Sequence, residues 1–193
     1  WIASLTPHWY SSTFGLLIGT GQMLAAAAFG VVAAAFVAAP GKDEATRLRL
    51  HDLGNILLMY VLTWAYLAYT QFLVIWSENL PHEIHWYVPR VQTGWAGLGI
   101  FLIAFHFFLP LAILLSRAAK RAPALLGWIA AGLLVAHLAD AFWLVAPTFR
   151  PAGFAIAWTD VLAVLVLGAI WTWSWRRVLR DVPAYVSTGA AHG

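Results

Sequence analysis

Cysteine is absent from this chain of 193 residues, and Asp, Glu, Lys and Arg together make up only 10% of it. Without a thiol there is no disulfide scaffold, no thiolate-held iron–sulfur cluster, no CxxCH haem attachment and no Cys-ligated zinc. A typical soluble domain is about 25% charged, so this chain has too little polar surface to cover a water-facing globule. A soluble enzyme and a disordered chain are both excluded. A basic leader with a small-residue cleavage site is missing too. The opening WIASLTPHWYSSTFG does not read as a signal peptide, and a sequence starting at Trp1 is expected to be part of a longer chain.

What the chain has instead is apolar length, at 62% hydrophobic residues. About 20 helical residues cross a hydrocarbon core of about 30 Å. Five stretches are long enough: 13–39, 53–77, 92–116, 124–147 and 152–175. The expected fold is therefore all-α, a polytopic membrane bundle of five helices read as one transmembrane domain over 1–193. Basic residues alternate between the connections. Lys42, Arg47, Arg49, Arg117, Lys120, Arg121, Arg176, Arg177 and Arg180 fall on one side, and Arg90 and Arg150 on the other. Cytoplasmic connections are enriched in Lys and Arg, which puts the C-terminus in the cytoplasm and residue 1 outside. No nucleic-acid partner is expected. Trp9, Trp76, Trp86, Trp95, Trp128, Trp173 and Trp175 lie near span ends, where their rings suit the headgroup layer.

The polar residues within the spans are the candidate site. Helix one carries Gly15, Gly19, Ala26 and Gly30 on roughly one side, a surface that invites another helix. Thr63, Tyr66, Thr70 and Ser77 share a face of helix two, as interhelical fasteners or part of a proton or quinone path. In helix three, Pro110 cannot bond the carbonyl of His106, so a kink is expected beside an ionisable ring at mid-membrane. His137 and Asp140 lie at i, i+3 in helix four. A carboxylate at this depth costs about 2.5–3.5 kcal/mol on insertion scales, so it pairs, stays neutral or handles protons. Ordered by depth, the proton-path candidates are His51 and Asp52 at the cytoplasmic mouth, Tyr66, His106 and His137 at the middle, and Asp140 and Asp160 in the outer half. A haem between His106 and His137 is a weaker alternative. HEIH at 82–85 lacks the HExxH spacing of a zinc site. The short connection 78–90 carries Glu83, Trp86, Tyr87 and Arg90, residue types favoured at docking surfaces.

The stretch WAYLAYTQFLVIWSENLPHEIHWYVPR at 64–90 resembles the segment W-x-Y-x-x-x-x-Q-x-x-x-I-W-x-x-N-x-P-x-E-x-x-W-Y of the F subunit of bacterial alternative complex III. The residues in register are Trp64, Tyr66, Gln71, Ile75, Trp76, Asn79, Pro81, Glu83, Trp86 and Tyr87, with Arg90 beyond them. HFFLPLAILLSRAAKR (106–121), HLADAFWLVAP (137–147) and SLTPHWYSSTFG (4–15) are similar to that family as well. The resemblance implies an NrfD-like membrane subunit of a quinol:cytochrome c, or other periplasmic-acceptor, oxidoreductase in a bacterial inner membrane. Its implied partners are a multihaem cytochrome c, an iron–sulfur subunit and a sister NrfD-like subunit. It implies further helices upstream and assigns quinol oxidation to the sister subunit, leaving this one as a scaffold with a proton route. No covalently bound cofactor is expected here. Quinone or quinol in the complex, and lipid, are the implied small molecules. The alternatives from other classes are a stand-alone proton-coupled transporter and a haem b membrane anchor.

The split of basic residues yields the first expected outcome. A reporter active only in the cytoplasm, fused after Gly193, should work, and one active only in the periplasm should stay silent. The reverse pattern overturns the orientation.

Overall fold

The computed structural model describes residues 2–7, 9, 11–37 and 44–181. Among these there is no strand, and five helices are long and apolar enough to cross a membrane. The chain is a multi-pass membrane protein. It divides into two compact units, Trp1–Phe154 and Ala155–Gly193, where the sequence alone reads as one domain.

In the first unit, α1 spans Phe14–Val32 and runs on through a π-turn at Ala33–Val37. Helix α2 spans Glu44–Glu78. Residues 44–52, read above as connection, are thus its first turns, and Arg47, Arg49, His51 and Asp52 are helical. Lys42 lies outside the described residues. With 35 residues, α2 is about 50 Å long and extends well beyond one hydrocarbon core. Two short helices, α3 (Pro81–Ile84) and α4 (Val88–Val91), fold the next connection, each with proline near its start. The third span is α5 (Trp95–Leu102), a π-helical stretch at Ile103–Phe108, and α6 (Leu109–Leu114). Here the kink expected at Pro110 takes the form of a widened turn, with the Leu109 N–H bonded to the carbonyl of Ala104. Proline has no N–H for the helical ladder, and one π-turn absorbs the mismatch. After α7 (Arg117–Arg121), α8 runs from Pro123 to Phe149.

α1 packs against both α2 and α8, and the third span packs against α8 and α2. The buried positions of α2 are Leu50, Gly54, Leu57, Val61, Trp64, Gln71 and Ile75, a stripe at steps of three and four. Two cores result. One is purely aliphatic: Leu24, Ala28, Val31, Leu57, Val61, Leu126 and Leu133 interlock near the end that holds residues 44–52, hereafter the basic end. The other is aromatic, built on Trp9, Phe14, Trp64, Trp86 and Tyr87, toward the opposite, aromatic end. Hence Trp9, Trp86 and Trp95 are core residues rather than surface anchors, whereas Trp76 and Trp128 do face outward. Among the described residues, nothing lies within 4 Å of where a Cβ on Gly15, Gly19 or Gly30 would sit, so this small-residue face stays clear of the other described helices.

The second unit holds α9 (Trp158–Asp181). It begins six residues later than the sequence boundary at 152, because Pro151 and Gly153 interrupt the helix. The Asp160 carboxylate accepts the N–H of Ala157 at 2.8 Å. Asp160 is thus a first-turn capping residue and not a group deep in a span.

At the basic end the Lys120 stem lies across Gly54, and its ammonium donates to Asn55 Oδ1 at 2.7 Å. A Cβ on Gly54 would fall 2.7 Å from Lys120 Cγ. Gly54→Leu is therefore expected to push α7 off α2 and to cost about 1–3 kcal/mol, read as a lower thermal midpoint in detergent.

Candidate functional site

Four helices bring one polar cluster together. α2 contributes Trp64, the π-helical stretch His106, and α8 His137 and Asp140, while Gly21 of α1 closes one side. His106 has no exposed surface, and its ring centroid lies 4.2 Å from that of Trp64 and 6.1 Å from that of His137. The buried Asp140 carboxyl lies near the Trp64 indole. A Cβ on Gly21 would sit 3.1 Å from Cε1 of His137, so a larger residue here would press the imidazole out of place by a few tenths of an ångström. Both ring nitrogens of His106 and Nδ1 of His137 are buried without a protein partner. Imidazoles with free nitrogens beside a carboxyl can accept, hold and release protons. A widened helical turn re-aims its side chains, which is how His106 comes to face α2 and α8.

Toward the aromatic end, Arg90 organises the connection between α2 and α5. It is 2% exposed. Nη1 donates to the carbonyl of Trp86 at 2.6 Å and Nη2 to that of Leu144 at 2.7 Å. The guanidinium lies 3.6 Å over the Trp86 ring, and Trp86 stacks on Trp9 with 4.9 Å between centroids. Burial lowers the Arg90 guanidinium to about 10, still charged at neutral pH. Burial raises the neighbouring Tyr87 phenol to about 12, against the pull of the nearby Gln71 amide and the charge of Arg90. Trp9 donates its indole N–H to the carbonyl of Glu83 at 3.1 Å, and Trp95 donates to that of Arg150 at 2.9 Å.

The structure sorts the sequence candidates. His106, His137 and Asp140 meet as expected. His51 and Asp52 do not join them. His51 Nδ1 lies 3.3 Å from the Asn55 amide and 3.6 Å from Asp52 Oδ1, at the basic end. The aliphatic core stands between them and the cluster. Thirteen helical positions separate His51 from Trp64, about 20 Å along α2, with the Asn55–Lys120 bond in the first turn and aliphatic packing beyond it. Tyr66 is 67% exposed on the outward face of α2, and Thr63 and Ser77 are exposed as well. Asp160 belongs to the other unit. Of the docking candidates, Trp86, Tyr87 and Arg90 are turned into the protein, because the guanidinium and both rings are consumed by internal contacts. Glu83 is half-buried, its carboxylate 3.9 Å from His82 Nε2.

Trp64, Gln71 and Trp143 were not expected as site residues. The three–four stripe of large residues on α2 is the signal that places the first two inside. No three His, Asp or Glu side chains converge as metal ligands among the described residues. A haem does not fit between His106 and His137: His106 is sealed, Trp64 packs on it, and the nearest groove is lined by neither histidine. No protein-family model matches the chain, and no curated protein matches it.

Replacing Arg90 by Ala leaves two carbonyls and a stacked Trp86 without their partner. The expected loss is about 1–3 kcal/mol per unpaired group, read as a lower melting midpoint. Arg90→Lys should rescue little, since an ammonium cannot reproduce the planar fork.

Proposed function

We propose that this chain is an NrfD-like, F-type membrane subunit of alternative complex III, a quinol-oxidising complex of the bacterial inner membrane that delivers electrons to a periplasmic acceptor. In this reading it is a non-redox scaffold carrying a proton-handling cluster, with its C-terminus in the cytoplasm. One observation supports the reading above the others. The segments that carry the resemblance, far apart in sequence, are the ones that meet at the site. Trp64 of the first touches His106 of the second and lies near Asp140 of the third, and Arg90 of the first bonds Leu144 of the third.

Quinol oxidation releases two electrons and two protons, and the chemistries separate. Electrons need a redox centre, for which a chain without cysteine offers no thiolate. They pass in the partner subunits, an iron–sulfur protein and a multihaem cytochrome c beside a sister NrfD-like chain. This chain's residues hold protons. The Asp140 carboxyl exchanges a proton with His137 on the same helix face. His106, with its ring centroid 6.1 Å from that of His137, is the next proton acceptor in the cluster. The dry core below makes the cluster a terminus within this chain, reached from the aromatic end.

Asp140→Asn keeps shape and most hydrogen bonding but removes the titratable proton. The variant should assemble with its c-type cytochromes, yet its quinol:cytochrome c turnover or proton release in liposomes should fall by roughly tenfold or more. Wild-type values for both would sink the proton role and leave Asp140 as a fastener. Purification without any c-type cytochrome would sink the assignment to the complex and favour a stand-alone transporter.

A further inference from the structure

A groove of about 750 Å³ lies between α2 and the third span, with α8 supplying part of its wall. Its rim is formed by outward-facing side chains, including Tyr69, Ile100 and Phe108, each more than half exposed. In a membrane-embedded bundle that rim meets lipid, so an occupant enters sideways from the bilayer. The lining is overwhelmingly apolar, yet three donors in it have no partner: Nε2 of Gln71, Nε1 of Trp143 and Nε of Arg90. Gln71 is only 2% exposed. Its Oε1 accepts from Thr13 at 3.4 Å, and its amide N–H₂, near the Tyr87 phenol, makes no hydrogen bond. Trp143 is held by packing on Gly99, where a Cβ would lie 3.5 Å from Nε1. Buried donors are almost always paired, so three in one apolar groove are a specific feature. Every one of them is a donor, and together they call for an acceptor.

We infer that this groove binds a lipid-soluble molecule whose polar end carries hydrogen-bond-acceptor oxygens, met by Gln71 and Trp143, with its apolar body along the third span. A ring quinone and the carbonyl end of a phospholipid share this chemistry. The volume falls in the range of small-molecule sites, about 300–1,000 Å³. The inference is independent of whether the chain belongs to a respiratory complex, because it rests only on the groove and its donors.

The test uses the intact protein, purified from membranes with the subunits it assembles with. Retention of two probes, decylubiquinone and dioleoylphosphatidylglycerol, is read by native mass spectrometry. Trp143→Phe keeps the ring and removes the N–H. Gln71→Glu replaces donor with acceptor at the same volume. Trp128→Phe, exposed and outside the groove, is the control. Each groove variant should weaken retention of at least one probe by about fivefold, the value of one hydrogen bond, with the control at wild-type level. The probe that responds identifies the source, quinone or phospholipid. If Gln71→Glu disturbs assembly, Trp143→Phe decides alone, because its indole N–H bonds nothing in the fold and its melting midpoint should stay unchanged. Retention of neither probe by the wild type, or retention indifferent to Trp143→Phe, overturns the site.

Discussion

A buried guanidinium sets the architecture of the aromatic end. Arg90 sits on a short connecting helix, yet one of its donors reaches the carbonyl of Trp86 and another that of Leu144, a residue 54 positions away. Leu144 lies one turn beyond Asp140 on α8. The connection after α2 is thereby pinned to the last part of α8, and α2 and α8 are held at a fixed axial register. Trp64 and Asp140 lie near each other in that register. The aromatic stack of Trp9 on Trp86 shields the charge from lipid and lets a cation persist where solvent is excluded.

The opposite end follows a different rule. There a Lys120–Asn55 bond over Gly54 closes the bundle, and between it and the polar cluster lies only interlocked aliphatic packing. Among membrane helices, close packing of small and branched side chains does the work that water-driven burial does elsewhere. Leu24, Ala28, Leu57, Val61 and Leu126 are all fully sealed. Polar and apolar halves are therefore stacked along the bundle rather than mixed across it.

Much of the fold was legible in advance, because length and lack of charge alone dictate five apolar helices. The ends were less legible. Charged residues at 44–52 read as a connection, but a helix leaving the bilayer continues in water at no penalty, so α2 begins earlier. In the site, His106, His137 and Asp140 were readable from the cost of ionisable groups at depth. Tyr66 was misplaced for an instructive reason. Two interleaved stripes fit α2, one of hydroxyls at 63, 66, 70 and 77, the other of large residues at 57, 61, 64, 71 and 75. Polarity favoured the first as the inner face, but bulk and close packing decide, and the second is buried. Arg90 was read as a surface residue because its acceptors are backbone carbonyls, which leave no mark in a sequence.

The aliphatic core also has an electrical meaning. Its low polarisability makes it the stretch across which a membrane potential drops most steeply, while the aromatic end, with its groove and polar lining, is the more polarisable half. One elementary charge moved through 100 mV is worth about 2.3 kcal/mol. A charge reaching the polar cluster from the aromatic end would cross little of that drop, and one leaving toward the basic end would cross most of it. Leu57 and Val61 thus form a capacitor's dielectric, and their thickness sets how strongly voltage weights the two directions.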